Sequence, residues 1–432
     1  MSSSTANRRV IVSSLVLLLS CTVATSDPQP PLLSRLTKDP ATSLYTITVR
    51  ADKSPLVVDL AGSLVWSTCP STHSTVPCES DTCATAKQQC PARCGRYVHG
   101  GRFWENREPA SSSCACTAHP LNPVTGECST GDVTSLAMST NTTTELRPEE
   151  SFSVVGACAP DRLLRSLPAG ATGVAGLSRQ PLSLPSQLAA QRGFGNRFSL
   201  CLPAFATFGD TPVYLPVPDP RGVIDFTTSG VAHTPLLNST ANAGGYYIPV
   251  KGISVTWNGA HAAAQLPAGA LDLDAHTGHG GVALSTVTPY ATMRADVFRS
   301  FVEAFNDTIT RGKYPGTTVE RVPAPKPFEL CYRGGFPRLK RPSSWDVPQI
   351  VLELGEGATR NWTMFNNNYL VEVDGAFCVG ILPMDGEAAV VIGGKQLENN
   401  LLVFDLENQQ LGFSGLLDFA LTSCGSATFS TN

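Results

Sequence analysis

The chain has 432 residues, 42% hydrophobic and 15% charged. That is too long for one ordinary core and too apolar for a disordered chain, so two globular lobes are expected. Gly 37 and Pro 33 together are roughly one residue in six, which favours turn-rich β structure over a helical bundle. A formal net charge of −4 supplies no basic field, which argues against nucleic acid as a partner.

At the N-terminus, Arg8-Arg9 precede the short apolar run Val10 to Leu19 and the small residues Ala24-Thr25-Ser26. This is the pattern of a secretory signal spanning 1–26, cleaved after Ser26. The run is about half the roughly 20 residues a membrane span needs, and no other stretch approaches that length. A secreted, extracellular protein with no membrane partner is expected.

Fourteen cysteines fit that compartment. Cys21 falls in the signal, which leaves thirteen, and eight of these lie between Cys69 and Cys128. Such a segment has little core of its own, and disulfides would restrain it. Cys90–Cys94 and Cys114–Cys116 lack the spacing of paired zinc knuckles, so disulfides are favoured over metal. The odd count predicts one unpaired thiol. Sequons at Asn141, Asn238, Asn306 and Asn361 predict glycan sites on surface loops.

Further along, Ser43–Arg50 alternates with period two, and Leu56–Leu60 and Leu64–Trp66 continue as short strands. The best helical pattern is Arg294 to Thr310, with Val297, Phe298, Phe301, Val302 and Phe305 on one face; Leu182 to Gln191 predicts a second, short helix. Ala389–Ile392, Leu401–Phe404 and Gln410–Phe413 predict closing strands. The Pro- and Gly-rich passage Pro212 to Gly222 places a division near 225. An N-terminal β lobe with a Cys-rich insertion (27–225) and a C-terminal β lobe (226–432) follow.

Val57-Val-Asp-Leu-Ala-Gly-Ser-Leu-Val-Trp66 resembles the Asp-Thr-Gly-Ser-x-Leu-x-Trp stretch of pepsin-like aspartic proteases. Gly173–Gln187, Arg197–Pro203, Val391–Gly394 and Phe404–Phe413 are similar to the plant, nepenthesin-like branch of that family. Thr37–Ile47, Leu64–Cys69, Cys116–Gly126, Ala157–Pro160 and Pro327–Tyr332 look most like its cereal xylanase inhibitors of the TAXI type. The resemblance covers about residues 40–430. It implies an all-β, two-lobed pepsin-like fold with a few short helices. It also implies six disulfides among Cys69, Cys78, Cys83, Cys90, Cys94, Cys116, Cys128, Cys158, Cys201, Cys331, Cys378 and Cys424, with Cys331–Cys378 closing a loop and Cys114 left over.

The chemistry argues against proteolysis. Aspartic proteases need one carboxyl from each lobe, sharing a proton and holding the attacking water. Here the first lobe keeps Asp59, but the second reads Ser285-Thr-Val287, and a hydroxyl cannot replace a titrating acid. Leu60 and Ala61 replace Thr and Gly after Asp59. The stretch in the flap position, His119-Pro-Leu-Asn-Pro123, has no Tyr. Asp59 and Ser285 are therefore vestigial positions, and nothing in the pattern requires a cofactor or metal. His276 and His279 near Asp272 and Asp274 lack a third ligand at a defined spacing.

The resemblance instead implies a monomer that blocks a microbial glycoside hydrolase, first of all a family 11 xylanase, whose cleft holds two carboxyls. In such inhibitors a His followed by Phe enters that cleft. The matching positions here are Asp418 and Phe419, and Thr288 occupies a second contact position. An Asp against two acids would be repelled, so weak binding that improves on acidification, or with His at 418, is expected. The rival readings are an aspartic endopeptidase and a storage or ligand-binding globulin.

Overall fold

A computed structural model describes residues 29–89, 94, 114–144, 149–218, 222–340 and 344–429. The expected signal 1–26 and Cys90 lie outside the described residues. Among those, the chain is mostly β strand with a few short helices.

The apolar runs form the expected strands: Tyr45–Ile47, Leu56–Asp59, Val65–Ser67, Val390–Ile392, Leu401–Asp405 and Gln410–Phe413. The helix at Ala295–Gly312 buries Val297, Phe301, Phe305 and Ile309 on one face. The short helix is Leu184–Arg192. It starts at Ser183, whose side chain accepts from Ser186 N, and stops at Gly193, which takes the left-handed conformation.

Each half contains the same arrangement. In the first, Leu56–Asp59 runs parallel to Gly173–Gly176, which pairs antiparallel with Val65–Ser67. In the second, Val282–Leu284 runs parallel to Val390–Ile392, which pairs antiparallel with Ala291–Arg294. A helix follows the parallel partner both times, at Leu184–Arg192 and at Gly394–Leu397. Asp59 ends the first inner strand, and Ser285 follows the end of the second.

One sheet joins the halves. Leu401–Asp405 pairs with Arg197–Cys201, so the C-terminal strands extend the sheet of the N-terminal half. Phe198 stacks on Phe404 across that seam at 4.6 Å, with Tyr246 against Phe404 at 4.7 Å. A single apolar cluster includes Val58 and Leu60 of the first half and Val282 and Leu284 of the second.

Among the described residues six disulfides are present: Cys69–Cys158, Cys78–Cys114, Cys83–Cys116, Cys94–Cys128, Cys201–Cys424 and Cys331–Cys378. Cys114 is therefore not the left-over thiol expected from the sequence. It bonds to Cys78; of the thirteen cysteines after the expected signal, Cys90 is the one outside these six pairs, and it lies outside the described residues. The reason is spatial. Cys116, on the segment leading into Thr117–Ala118, reaches Cys83 on the Asp81–Gln88 helix, and this carries Cys114 to Cys78 just before that helix.

The sequons are not all on loops. Asn141 is exposed on the edge of strand Gly131–Thr142, and Asn238 and Asn361 are exposed in irregular segments. Asn306 lies inside the long helix, where its Oδ1 accepts from Tyr332 Oη at 2.6 Å. Thr308 of the same sequon is fully buried and donates to Val255 O at 3.2 Å. A glycan on Asn306 Nδ2 would be attached beside the Tyr332 contact and oppose packing of this helix. Glycopeptide mapping of the protein expressed in plant cells should find Asn306 unmodified and Asn361 occupied; equal occupancy at both would contradict this packing.

Candidate functional site

Asp59 ends an inner strand and is only 6% exposed. Its Oδ1 accepts from Ala61 N at 2.9 Å. Burial pushes its pKa up to about 6, and the backbone N–H groups of Ala61 and Gly62 offset part of that rise. Gly62 is required here: a Cβ would lie 2.7 Å from Gly176 Cα, where the Asp59 loop meets the parallel partner strand.

On the opposite side, Ser285 turns its hydroxyl into its own loop. Ser285 Oγ accepts from Val287 N at 3.3 Å and Thr288 N at 3.2 Å, and lies 3.0 Å from Thr288 Oγ1. This is a local Ser turn, not a proton carrier. Thr288 is thereby held beside Ser285, and its carbonyl accepts from Gly394 N at 2.8 Å.

The two loops are joined by a residue the sequence reading passed over. Thr286 is fully buried; its Oγ1 donates to Val58 O at 2.6 Å and accepts from Leu60 N at 3.2 Å. Its signal was available, since Ser285-Thr-Val keeps the Thr of Asp-Thr-Gly. The reciprocal bond from the first loop has no side-chain hydroxyl to make it, because Leu60 stands there, buried in the apolar cluster.

The His119–Pro123 stretch is pinned. Asn122 is fully buried, donates through Nδ2 to Leu163 O and Arg165 O, and accepts at Oδ1 from Val124 N and Thr125 N. Trp66 Nε1 donates to Leu121 O at 3.0 Å. All four polar positions of the Asn122 amide are used, so this turn is fixed where a flap would have to move.

Asp418 and Phe419 lie together at another place, on the short 3₁₀ turn Leu417–Ala420. Asp418 is directed into the protein: Oδ2 accepts from Asn367 Nδ2 at 2.7 Å and Oδ1 from Asn399 Nδ2 at 2.5 Å. Asn399 also accepts Cys424 N at Oδ1, and its carbonyl accepts Leu417 N. Phe419 is 42% exposed and packs on Phe365 at 4.4 Å; Leu421, at φ 54°, is 43% exposed. Thr288 contacts the start of the Gly394–Leu397 helix, whereas the Asp418 turn contacts the segment just beyond its end, so the three binding candidates form two separate groups.

The xylanase inhibitor N-terminal family matches residues 44–210, and the xylanase inhibitor C-terminal family matches 245–415. The chain belongs to the xylanase inhibitor family. It is 39% identical over 417 residues to Chitinase CLP of Oryza sativa subsp. japonica, covering 92% of this chain and 91% of that protein. It is 29% identical to Gamma conglutin 1 of Prunus dulcis, over 97% of this chain and 95% of that one. It is 27% identical to Probable aspartic proteinase GIP2 of Nicotiana benthamiana, over the whole of both. Among solved structures, edgp matches with a TM-score of 0.74 at 27% identity, covering 94% of this chain and 99% of that one. Basic 7S globulin from soybean matches at 0.67, 24% identity, covering 94% and 100%, which shows the fold alone. This family member thus has the pepsin-like, two-lobed fold.

Asp59 makes stability depend on pH in a defined sense. Between about pH 4 and 6 the folded state keeps a proton that the unfolded state has lost, so stability falls as pH rises through that window. The full loss is roughly 3 kcal/mol by neutral pH. Asp59→Asn should remove this fall. Urea unfolding from pH 4 to 7.5 checks it, and parallel curves for both proteins would refute the buried acid's role.

Proposed function

We propose that this protein is secreted, is inactive as a protease, and binds and inhibits a microbial cell-wall glycoside hydrolase, with family 11 xylanases as the first target class. The reading rests on the exposed pair Phe419 and Leu421, carried on a turn that Asp418, Asn399 and the Cys201–Cys424 disulfide hold in place. An apolar contact on a preordered turn loses little entropy on binding. Membership of the xylanase inhibitor family supports the target class.

Proteolysis is disfavoured because Ser285, at the place equivalent to Asp59, has its oxygen engaged by Val287, Thr288 and nothing titratable. The role of Asp418 differs from that expected of an inserted group. Both its oxygens hold the turn, so its charge faces Asn367 and Asn399, and Phe419 is the residue presented outward. Thr288 serves as a second contact only if the partner also reaches the cleft beside Ser285.

The name of the rice relative raises chitin hydrolysis. Glu398 and Asp418 do line one cavity of about 380 Å³. Each is already committed: Glu398 Oε1 accepts from Tyr45 Oη at 2.9 Å and pairs with Lys38 at 2.8 Å. Both carboxylates are engaged by other side chains of this protein, which favours the binding reading.

The test is a titration of one family 11 xylanase with wild type, Phe419→Ala and Asp418→Ala, beside assays for acid cleavage of denatured globin and for chitin turnover. Wild type should inhibit and should cleave neither substrate. Phe419→Ala should weaken inhibition about tenfold to a hundredfold, as loss of an aromatic anchor does. Asp418→Ala should weaken it less, by loosening the turn. Tight inhibition untouched by Phe419→Ala would move the contact elsewhere. Absence of inhibition against a wider hydrolase panel would favour the globulin reading, and chitin turnover lost in Glu398→Gln would replace both.

A further inference from the structure

One cavity belongs neither to the Ser285 loop nor to the Phe419 turn. It measures about 600 Å³ and lies in the Cys-rich part of the N-terminal half. That is the size of a pocket that encloses a small organic molecule. Two disulfides, Cys69–Cys158 and Cys94–Cys128, build its walls, with Pro70 and Pro160 beside the first. These are rigid, soft and largely apolar surfaces, suited to a flat ring.

Three hydroxyls, of Ser71, Ser129 and Thr130, line the cavity, and its titratable groups differ in commitment. His73 is occupied, with Nδ1 3.0 Å from Pro70 O and Nε2 3.3 Å from Asp132 Oδ2, so the Asp132 charge is turned towards an imidazole. Arg162 is oriented but not exhausted. Its Nε donates to Glu127 Oε1 at 3.2 Å and its Nη2 to Ser129 Oγ at 2.7 Å, while Nη1 has no partner among the described residues. His119 is half-buried, lines the same cavity and makes no hydrogen bond among the described residues. An oriented guanidinium edge and an unused imidazole, in one cavity with disulfide and proline walls, suit a carboxylate on a small aromatic body.

We propose that this disulfide-walled cavity binds small aromatic carboxylates, with Arg162 and His119 receiving the carboxylate and the Cys69–Cys158 wall receiving the ring. The site is independent of hydrolase inhibition, because none of its residues belongs to the Phe419 turn.

Calorimetric titration of the purified full mature protein with trans-cinnamate tests the proposal, with cinnamyl alcohol as the probe lacking charge. Cinnamate should bind with one-to-one stoichiometry, and the alcohol about tenfold or more weaker, the value of one charge-assisted contact. Arg162→Gln and His119→Leu should each weaken cinnamate binding, whereas Arg165→Gln, exposed one turn away, should not. The proton resonance of the His119 ring, assigned through His119→Leu, should shift on titration. No binding at millimolar cinnamate, equal affinity for acid and alcohol, or unchanged affinity in Arg162→Gln would each overturn the assignment.

Discussion

The Thr286 hydroxyl holds the two halves of this molecule face to face. It sits in a fully buried position, donates to the backbone of one loop and receives from the next peptide of that same loop. Buried peptide groups left without partners cost about 1–3 kcal/mol each, so this single oxygen satisfies groups that water cannot reach. Catalysis would need two acids, but the architecture needs only this bond. That distinction explains how Ser285 and Leu60 can stand in the two loops while the loops keep their approach. Tyr246, which donates to Leu177 O at 2.7 Å, adds a second hydrogen bond between the two halves.

Around that seam the molecule is stiffened in proportion to its distance from a core. The inner strands and the long helix are held by apolar packing and a few buried hydrogen bonds, without a disulfide. Of the six disulfides among the described residues, four have at least one end between Cys69 and Cys128. Asn122 does comparable work by hydrogen bonding, with every donor and acceptor of its amide used. A cavity survives among these cross-links because disulfides fix distances without filling volume.

Much of the fold could be read from the chain. Period-two runs such as Leu56–Asp59 and the apolar face of Ala295–Gly312 are local patterns, and the repeated motif around Asp59 and Ser285 revealed the two-fold plan. What depended on distant partners could not be read. The chemistry of Asp418 was plain, but its orientation is set by Asn367 and Asn399, 51 and 19 residues away. The partner of Cys114 depends on how one strand meets one helix, which spacing alone does not give. Asn306 looked like any other sequon until Tyr332 was found against it. The cavity near Arg162 draws its lining from several separate stretches, so no motif announces it.

The Cys201–Cys424 bond spans 223 residues and fastens the last segment to a strand in the middle of the main sheet. Its topological effect is distinct from its energetic one. The exposed turn at Phe419 and Leu421 is a natural point for an extracellular peptidase to cut. A cut between Phe419 and Cys424 would leave the distal piece covalently attached, with Tyr214 still bonded to Thr428 through both backbone groups. The molecule could thus be nicked at this exposed apolar turn without shedding its terminus or opening the sheet edge beneath it.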